Sequence, residues 1–218
     1  MTQDEQQPQK RDIRVPWPRK GDKLFRAPDD IGYDWWFNAC LNFMDAAAQR
    51  YGYARGYKKA ADVLVEYVGR AKRHQDVLVY PIVFLYRHYI ELMLKCLIHD
   101  VRVLLRRPAK LPMHHKLKEL WEECAPLLAE AFPDEPEQGF EAVADYIEQF
   151  SKVDPASTAF RYAQNKNGAP SVPGLKHINL ANLCDVMDRL DSFLDGASSA
   201  TDHALEAMLE SGSFSGPP

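Results

Sequence analysis

Between Tyr80 and Arg107 the chain reads YPIVFLYRHYIELMLKCLIHDVRVLLRR, an apolar run broken every three or four residues by a charge or a histidine. An α-helix advances about 100° per residue, which gathers Arg87, His88, Glu91, Lys95, His99 and Arg102 into an arc of about 120°. Ile82, Leu85, Tyr89, Ile90, Leu92, Met93, Leu94, Leu97 and Leu104 take most of the remaining circumference. A helix apolar over so much of its surface belongs in the middle of a helical core. The pattern therefore predicts a core helix over 77–105 whose polar seam is a groove, an interface or a site. Pro81 suits its first turn or a kink, and Arg106 and Arg107 stand at the negative end of its dipole.

The same period predicts the other elements. A first helix runs over about 30–51, with Trp36, Cys40, Phe43 and Ala47 on one stripe, and a second over about 56–72, with Ala60, Leu64, Tyr67 and Ala71 inward. Beyond the core helix, one helix begins near Met113 and shows Leu117, Leu120, Trp121, Cys124 and Leu128. Pro133 and Pro136 bracket a short connection to a helix with Phe140, Val143, Ala144, Ile147 and Phe150. A long irregular stretch follows over 151–177, and such a loop inside a compact domain marks a functional or a disordered segment. Leu183, Met187, Leu190 and Leu194 then predict a helix over 179–195, with a weaker one over 201–210. Strand-like alternation is scarce and no internal repeat is present, so the fold class expected is all-α, an antiparallel helical bundle.

Composition agrees with a folded core, since 46% of the 218 residues are hydrophobic. The net charge of −4 hides a division. Residues 1–110 carry 20 Lys and Arg against 13 Asp and Glu, net +7, while 111–218 carry 7 against 18, net −11. The halves can pack together and cancel, or the basic one can face an anionic partner. Residues 1–12 are polar, and 13–30 hold three prolines without a period; this arm is expected to lie on the domain through Trp17 and Phe25. Cys40, Cys96, Cys124 and Cys184 are widely spaced in apolar contexts, which points to core thiols in a reducing, cytoplasmic setting. The core helix is long enough to span a bilayer, but its six charged or histidine positions argue against it, and no membrane partner is expected.

Three constellations carry candidate chemistry. Arg87, Glu91 and Lys95 are spaced by four, so neighbours can pair along a helix face; such a row is a solvated face, a register device or a phosphate site. His114 and His115 open a helix and could cap it, bind a metal or act as a base; no histidine or carboxylate stands at metal-ligand spacing beside them, so no metal and no cofactor are expected. Phe160, Arg161 and Tyr162 lie within the long loop, ahead of Asn165, Asn167 and Gly168. An aromatic–Arg–aromatic triplet there either stacks on a base or anchors the loop. Phosphate-loop, dinucleotide, nucleophile-elbow and zinc-protease motifs are absent.

The order of these pieces resembles the HEPN superfamily (higher eukaryotes and prokaryotes nucleotide-binding). An apolar helix carries R-x-x-x-E-x-x-x-K as Arg87, Glu91 and Lys95; a following helix opens H-x-L-x-x-L as His115, Leu117 and Leu120; a loop carries R-Y as Arg161 and Tyr162; an amphipathic helix closes the bundle. The resemblance spans about 77–195. It implies an all-α bundle, a homodimer, and an RNA or nucleotide ligand in a defence or toxin–antitoxin setting, with a possible protein partner from a neighbouring gene. Many members are metal-independent endoribonucleases with R-x4-6-H at the last helix, and this chain departs from that pattern. After Arg161 the next histidine is His177, and the one match in spacing, Arg107 to His114, falls in a proline-containing connection.

The expectation drawn is a flexible basic arm at 1–29, a helical hairpin at 30–73 packed on the core, a HEPN-like bundle at 74–196, and a weak helix with a disordered tail at 197–218. By the resemblance, Arg87, His88, Glu91, Lys95, His115 and Arg161 are expected to line one basic cleft, and Arg87, Glu91, Lys95, His115, Arg161 and Tyr162 to bind phosphate. The function expected is RNA or nucleotide binding. An endoribonuclease using Arg87, His88, His115 and Arg161, or a structural subunit, are the alternatives.

Overall fold

The computed structural model describes residues 17–25, 37–41, 44–134 and 137–211. The chain divides into two units, residues 1–43 and 44–218. In the first, a tight turn joins Arg19 and Asp22 through a 3.1 Å backbone hydrogen bond, with Gly21 at φ 97°. Within this unit Trp17, Phe25 and Cys40 are exposed.

The second unit contains five helices and, among the described residues, no strand: α1 Ala46–Ala71, α2 Gln75–Leu104, α3 Leu117–Ala131, α4 Glu137–Val153 and α5 Leu180–Glu210. The fold is all-α. Helix α2 is its centre, packed against α1, α3 and α5, while α4 packs on α3. Thirteen of its residues are buried, Arg87 and Glu91 among them. It has the length and hydropathy of a bilayer-crossing helix, but here its apolar surface is spent on neighbouring helices. Val77 and Tyr80 at its N-terminal end are the large apolar side chains it leaves exposed. Trp121, Phe140 and Phe193 join α3, α4 and α5 with ring centroids 5.5–6.1 Å apart.

Three boundaries differ from the sequence expectation. Helix α1 is continuous from 46 to 71 where two helices, over 30–51 and 56–72, were expected, so a hairpin between them is absent; residues 30–36 and Phe43 lie outside the described residues. Asp45 starts α1, its Oδ1 accepting from Ala47 N at 2.9 Å and Ala48 N at 3.0 Å. The glycines at 52 and 56 suggested a break, since each costs a helix about 0.5–1 kcal/mol relative to alanine. Burial of Ala54, Lys58 and Ala61 offsets that loss. Helix α3 starts at Leu117, leaving His115 in the preceding segment rather than in the helix. Helix α5 runs unbroken through Gly196, because its buried stripe continues beyond Leu194 in two small polar residues, Ser198 and Thr201. Thr201 Oγ1 donates to Ala197 O at 2.7 Å, which removes the cost of burying it.

Gly56 lies in mid-helix, exposed, with nothing within 4 Å of an added Cβ. Gly56→Ala should therefore stabilise the protein by about 0.5–1 kcal/mol in urea unfolding. A loss of stability instead would indicate two helices with a glycine joint.

Candidate functional site

The middle of the α2 seam, at Arg87 and Glu91, does not face water. Arg87 is 1% exposed and each of its guanidinium nitrogens has an acceptor. Nε donates to Asp154 O at 3.2 Å, Nη2 to His115 O at 2.9 Å, and Nη1 to Glu91 Oε2 at 3.4 Å. Nε also lies 3.4 Å from Asp154 Oδ2. One side chain thus ties α2 to the segment before α3 and to the start of the loop after α4. Burial holds the Arg87 pKa below its ordinary value despite Asp154 and Glu91 beside it.

Glu91, also 1% exposed, carries the other half of the arrangement. Its Oε1 accepts from Lys95 Nζ at 3.0 Å and lies 2.6 Å from His115 Nδ1, and Oε2 is 4.0 Å from His88 Nδ1. Burial opposes the charge on Glu91, but the His115 and Lys95 hydrogen bonds outweigh it and keep its pKa below the usual 4.5. An ionised carboxylate can only accept, so the proton of this contact sits on His115 Nδ1. In the neutral ring Nε2 is then the basic nitrogen, and the His115 side chain is 64% exposed.

A row of rings leads away from this knot. His88 meets Tyr57 of α1 edge-on, with centroids 4.4 Å apart, and stacks on Phe84 at 5.7 Å. Arg161 lies over Phe84 at 5.8 Å and over Tyr162 at 5.4 Å. Its position comes from Asp154, a buried residue whose Oδ1 accepts from Thr158 N at 2.8 Å and Ala159 N at 3.0 Å. The turn this builds sends Phe160 inward, 6% exposed, and leaves Tyr162 58% exposed. Among the described residues no carboxylate comes within 4.0 Å of the Arg161 guanidinium. Three permanent cations, Arg87, Lys95 and Arg161, stand against two carboxylates, Glu91 and Asp154, a net of +1 before either histidine is protonated.

The single basic cleft expected from the sequence is thus divided by depth. Arg87, Glu91, Lys95, His88 and His115 are gathered together, but Arg87 and Glu91 lie beneath the surface and cannot touch a ligand. Lys95, with 14% of its side chain exposed, sits at the edge, and His115, Arg161 and Tyr162 are outside. The rest of the seam is engaged elsewhere: His99 bonds Asp100 at 2.7 Å and Arg102 pairs with Glu123 at 2.9 Å. His114 lies 3.9 Å from Glu119. Asp154, Phe84 and Tyr57 were missed. Asp154 had a signal, since Asp-Pro-Ala-Ser-Thr after a helix marks a side-chain-capped turn; the two aromatics had none, being indistinguishable from core residues.

A second polar network joins α1, α2 and α5. Lys58, 5% exposed, donates to Asp62 Oδ2 at 3.0 Å and Asp188 Oδ1 at 2.7 Å. Tyr86 donates to Asp62 at 2.8 Å, and Arg55 and Tyr89 both bond Asp191. Asp62, Cys184 and Asp188 bring potential metal-ligand atoms within 4.8 Å of one another, a grouping across helices that spacing cannot reveal. The Lys58 ammonium already bonds both of these carboxylates. The network therefore accounts for itself as a register device for α1 on α5.

Comparisons with protein-family models, with curated proteins and with solved structures yield no match, so the functional reading rests on this geometry.

Removing the Arg87 guanidinium would take one partner from each of two buried carboxylates, Glu91 and Asp154, and the side-chain donor from two carbonyls. Arg87→Ala should lower unfolding stability by about 3–5 kcal/mol, as loss of one partner of a buried ion pair does; a loss below about 1 kcal/mol would mean that the side chain is not the clamp it looks to be.

Acid should act in two steps. Burial depresses the His88 pKa below 6.5, and that of Glu91 is held below 4.5. Between its folded and unfolded values, each group binds more protons in the unfolded chain, so stability rises with pH there. The melting temperature should fall as pH drops below 6.5, and again below 4.5. His88→Phe should remove the first step; an unchanged first step in that variant would assign it to another group.

Proposed function

We propose that this protein binds RNA or a nucleotide through a surface anion site made by Arg161, Lys95 and His115. The observation that carries the reading is Arg161, an exposed guanidinium seated on two aromatic rings with no carboxylate within 4.0 Å among the described residues. An arginine held by ring faces keeps its in-plane donors available, and their fork matches phosphate. The net positive balance of the surrounding cluster favours an anion further. The HEPN resemblance implies the same class of ligand, along with a homodimer and a cytoplasmic defence setting.

A second reading, a metal-independent endoribonuclease, is favoured by the Glu91–His115 contact. A buried carboxylate holding Nδ1 while Nε2 faces water is the arrangement of an oriented general base. Such a base would take the proton of a 2′-hydroxyl as its oxygen attacks phosphorus, while the 5′-oxygen leaves with a proton from water, giving a 2′,3′-cyclic phosphate and a 5′-hydroxyl.

One experiment addresses both. A 5′-fluorescein single-stranded RNA is titrated by anisotropy and then run on a denaturing gel. Arg161→Ala should weaken binding by about 1.5–3 kcal/mol, the worth of a charge-assisted hydrogen bond, and its melting temperature should match that of the parent protein. Intact RNA with the parent protein dismisses the nuclease reading. Cleavage that disappears in His115→Ala supports it, and absence of binding to both this RNA and a fluorescent nucleoside triphosphate overturns the proposal itself.

A further inference from the structure

Resting on the anion-binding reading, we infer that Tyr162 is a stacking platform for an unpaired nucleobase, with Arg161 taking the adjoining phosphate. The ligand is then a single-stranded nucleic acid rather than a phosphate group alone.

The platform is built in advance of any ligand. Thr158 O accepts from Arg161 N at 3.1 Å and Tyr162 N at 3.3 Å, and Thr158 N is itself held by Asp154. Ser157 takes a left-handed φ of 59° to close this turn, and Phe160 pins it to Val83 in a small apolar cluster. Arg161 and Tyr162 cannot both collapse inward while Phe160 fills that place. A second closed turn follows directly: Asn165 N donates to Ala169 O at 2.8 Å, Ser171 N to Ala163 O at 3.1 Å, and Gly168 has φ 79°. The exposed pair therefore stands between two fixed turns, and little conformational entropy remains to be lost on binding.

The surface these residues present has a particular chemistry. Tyr162 is 58% exposed, and its hydroxyl has no hydrogen-bond partner among the described residues. A tyrosine left in that state on a rigid turn offers a flat ring and a donor, the features that recur at binding hot spots. Every base has a π-face, so a ring of this kind accepts any base that is not already stacked in a duplex. Arg161, whose guanidinium lies over the same ring, is within one side chain's reach of the phosphate that follows such a base. An acidic peptide would satisfy Arg161 but make no use of the aromatic face, which is why nucleic acid is favoured over it.

The test is anisotropy with three fluorescein-labelled probes: single-stranded oligoadenylate, the same backbone with abasic sites, and a duplex of the same length. The parent protein should prefer the single strand to both others. Tyr162→Ala should weaken oligoadenylate binding about tenfold, within the range for one base–aromatic stack, and weaken the abasic probe less, since Arg161 keeps its seat on Phe84. Tyr162→Phe should retain the affinity, and Arg161→Ala should weaken both single-stranded probes. Equal affinity for oligoadenylate and its abasic counterpart, or an unaffected Tyr162→Ala, overturns the platform while an Arg161 effect leaves the anion site standing. Binding of an aspartate-rich peptide in place of every RNA probe overturns the platform and the RNA reading together.

Discussion

The Arg87 guanidinium, buried in the core helix, joins α2 to the segment before α3 and to the loop after α4. A guanidinium at 1% exposure is costly to bury, and it is tolerated because each nitrogen meets an acceptor. Those acceptors belong to three separate parts of the chain. The core helix, the segment before α3 and the loop after α4 converge on one charged group. Nonpolar packing could bring such segments near one another, but it would not specify which carbonyl faces which donor. The planar fork of arginine does so, and a lysine there would not.

The depth of this clamp decides what remains at the surface. Arg87 and Asp154 use their polarity on the protein itself, and Glu91 is held as an anion by Arg87, Lys95 and His115, with His88 close by. Above that layer stand groups whose own capacity is incomplete: a histidine ring anchored by one nitrogen, a lysine at the rim, and an arginine supported by aromatic faces. The inner layer positions and the outer layer is left to interact. The polar seam between α1 and α5 differs in this respect. There Lys58, Arg55, Tyr86 and Tyr89 meet Asp62, Asp188 and Asp191 within the protein, and the network fixes how two helices align.

Much of the fold was legible in the apolar period. The central place of α2 followed from its near-complete apolar circumference, and α3, α4 and the first half of α5 followed from their stripes. Where the reading failed, the cause was local. Gly52 and Gly56 weakened the signal for a continuous α1, although tertiary burial of Ala54 and Ala61 overrides it. Ser198 and Thr201 hid the continuation of α5, because a small hydroxyl residue can be buried when its oxygen bonds the helix's own carbonyl. In the site, the i,i+4 spacing correctly paired Arg87 with Glu91 and Glu91 with Lys95. It could not distinguish a pair in water from a pair in the core.

Read along the chain alone, this is an all-α protein with a charged row on its most apolar helix, a histidine at the opening of the next helix, and an Arg-Tyr pair in a long loop. Those features are set by helical geometry and by residue chemistry, which act over a few neighbours. Packing of the helices is what makes Arg87 a buried clamp rather than a ligand contact, lets Glu91 orient His115, and rests Arg161 on Phe84 with no carboxylate within 4.0 Å among the described residues. Each of these is a relation between segments far apart in the chain. Burial and hydrogen-bond partners arise when helices pack, and no spacing along one helix encodes them.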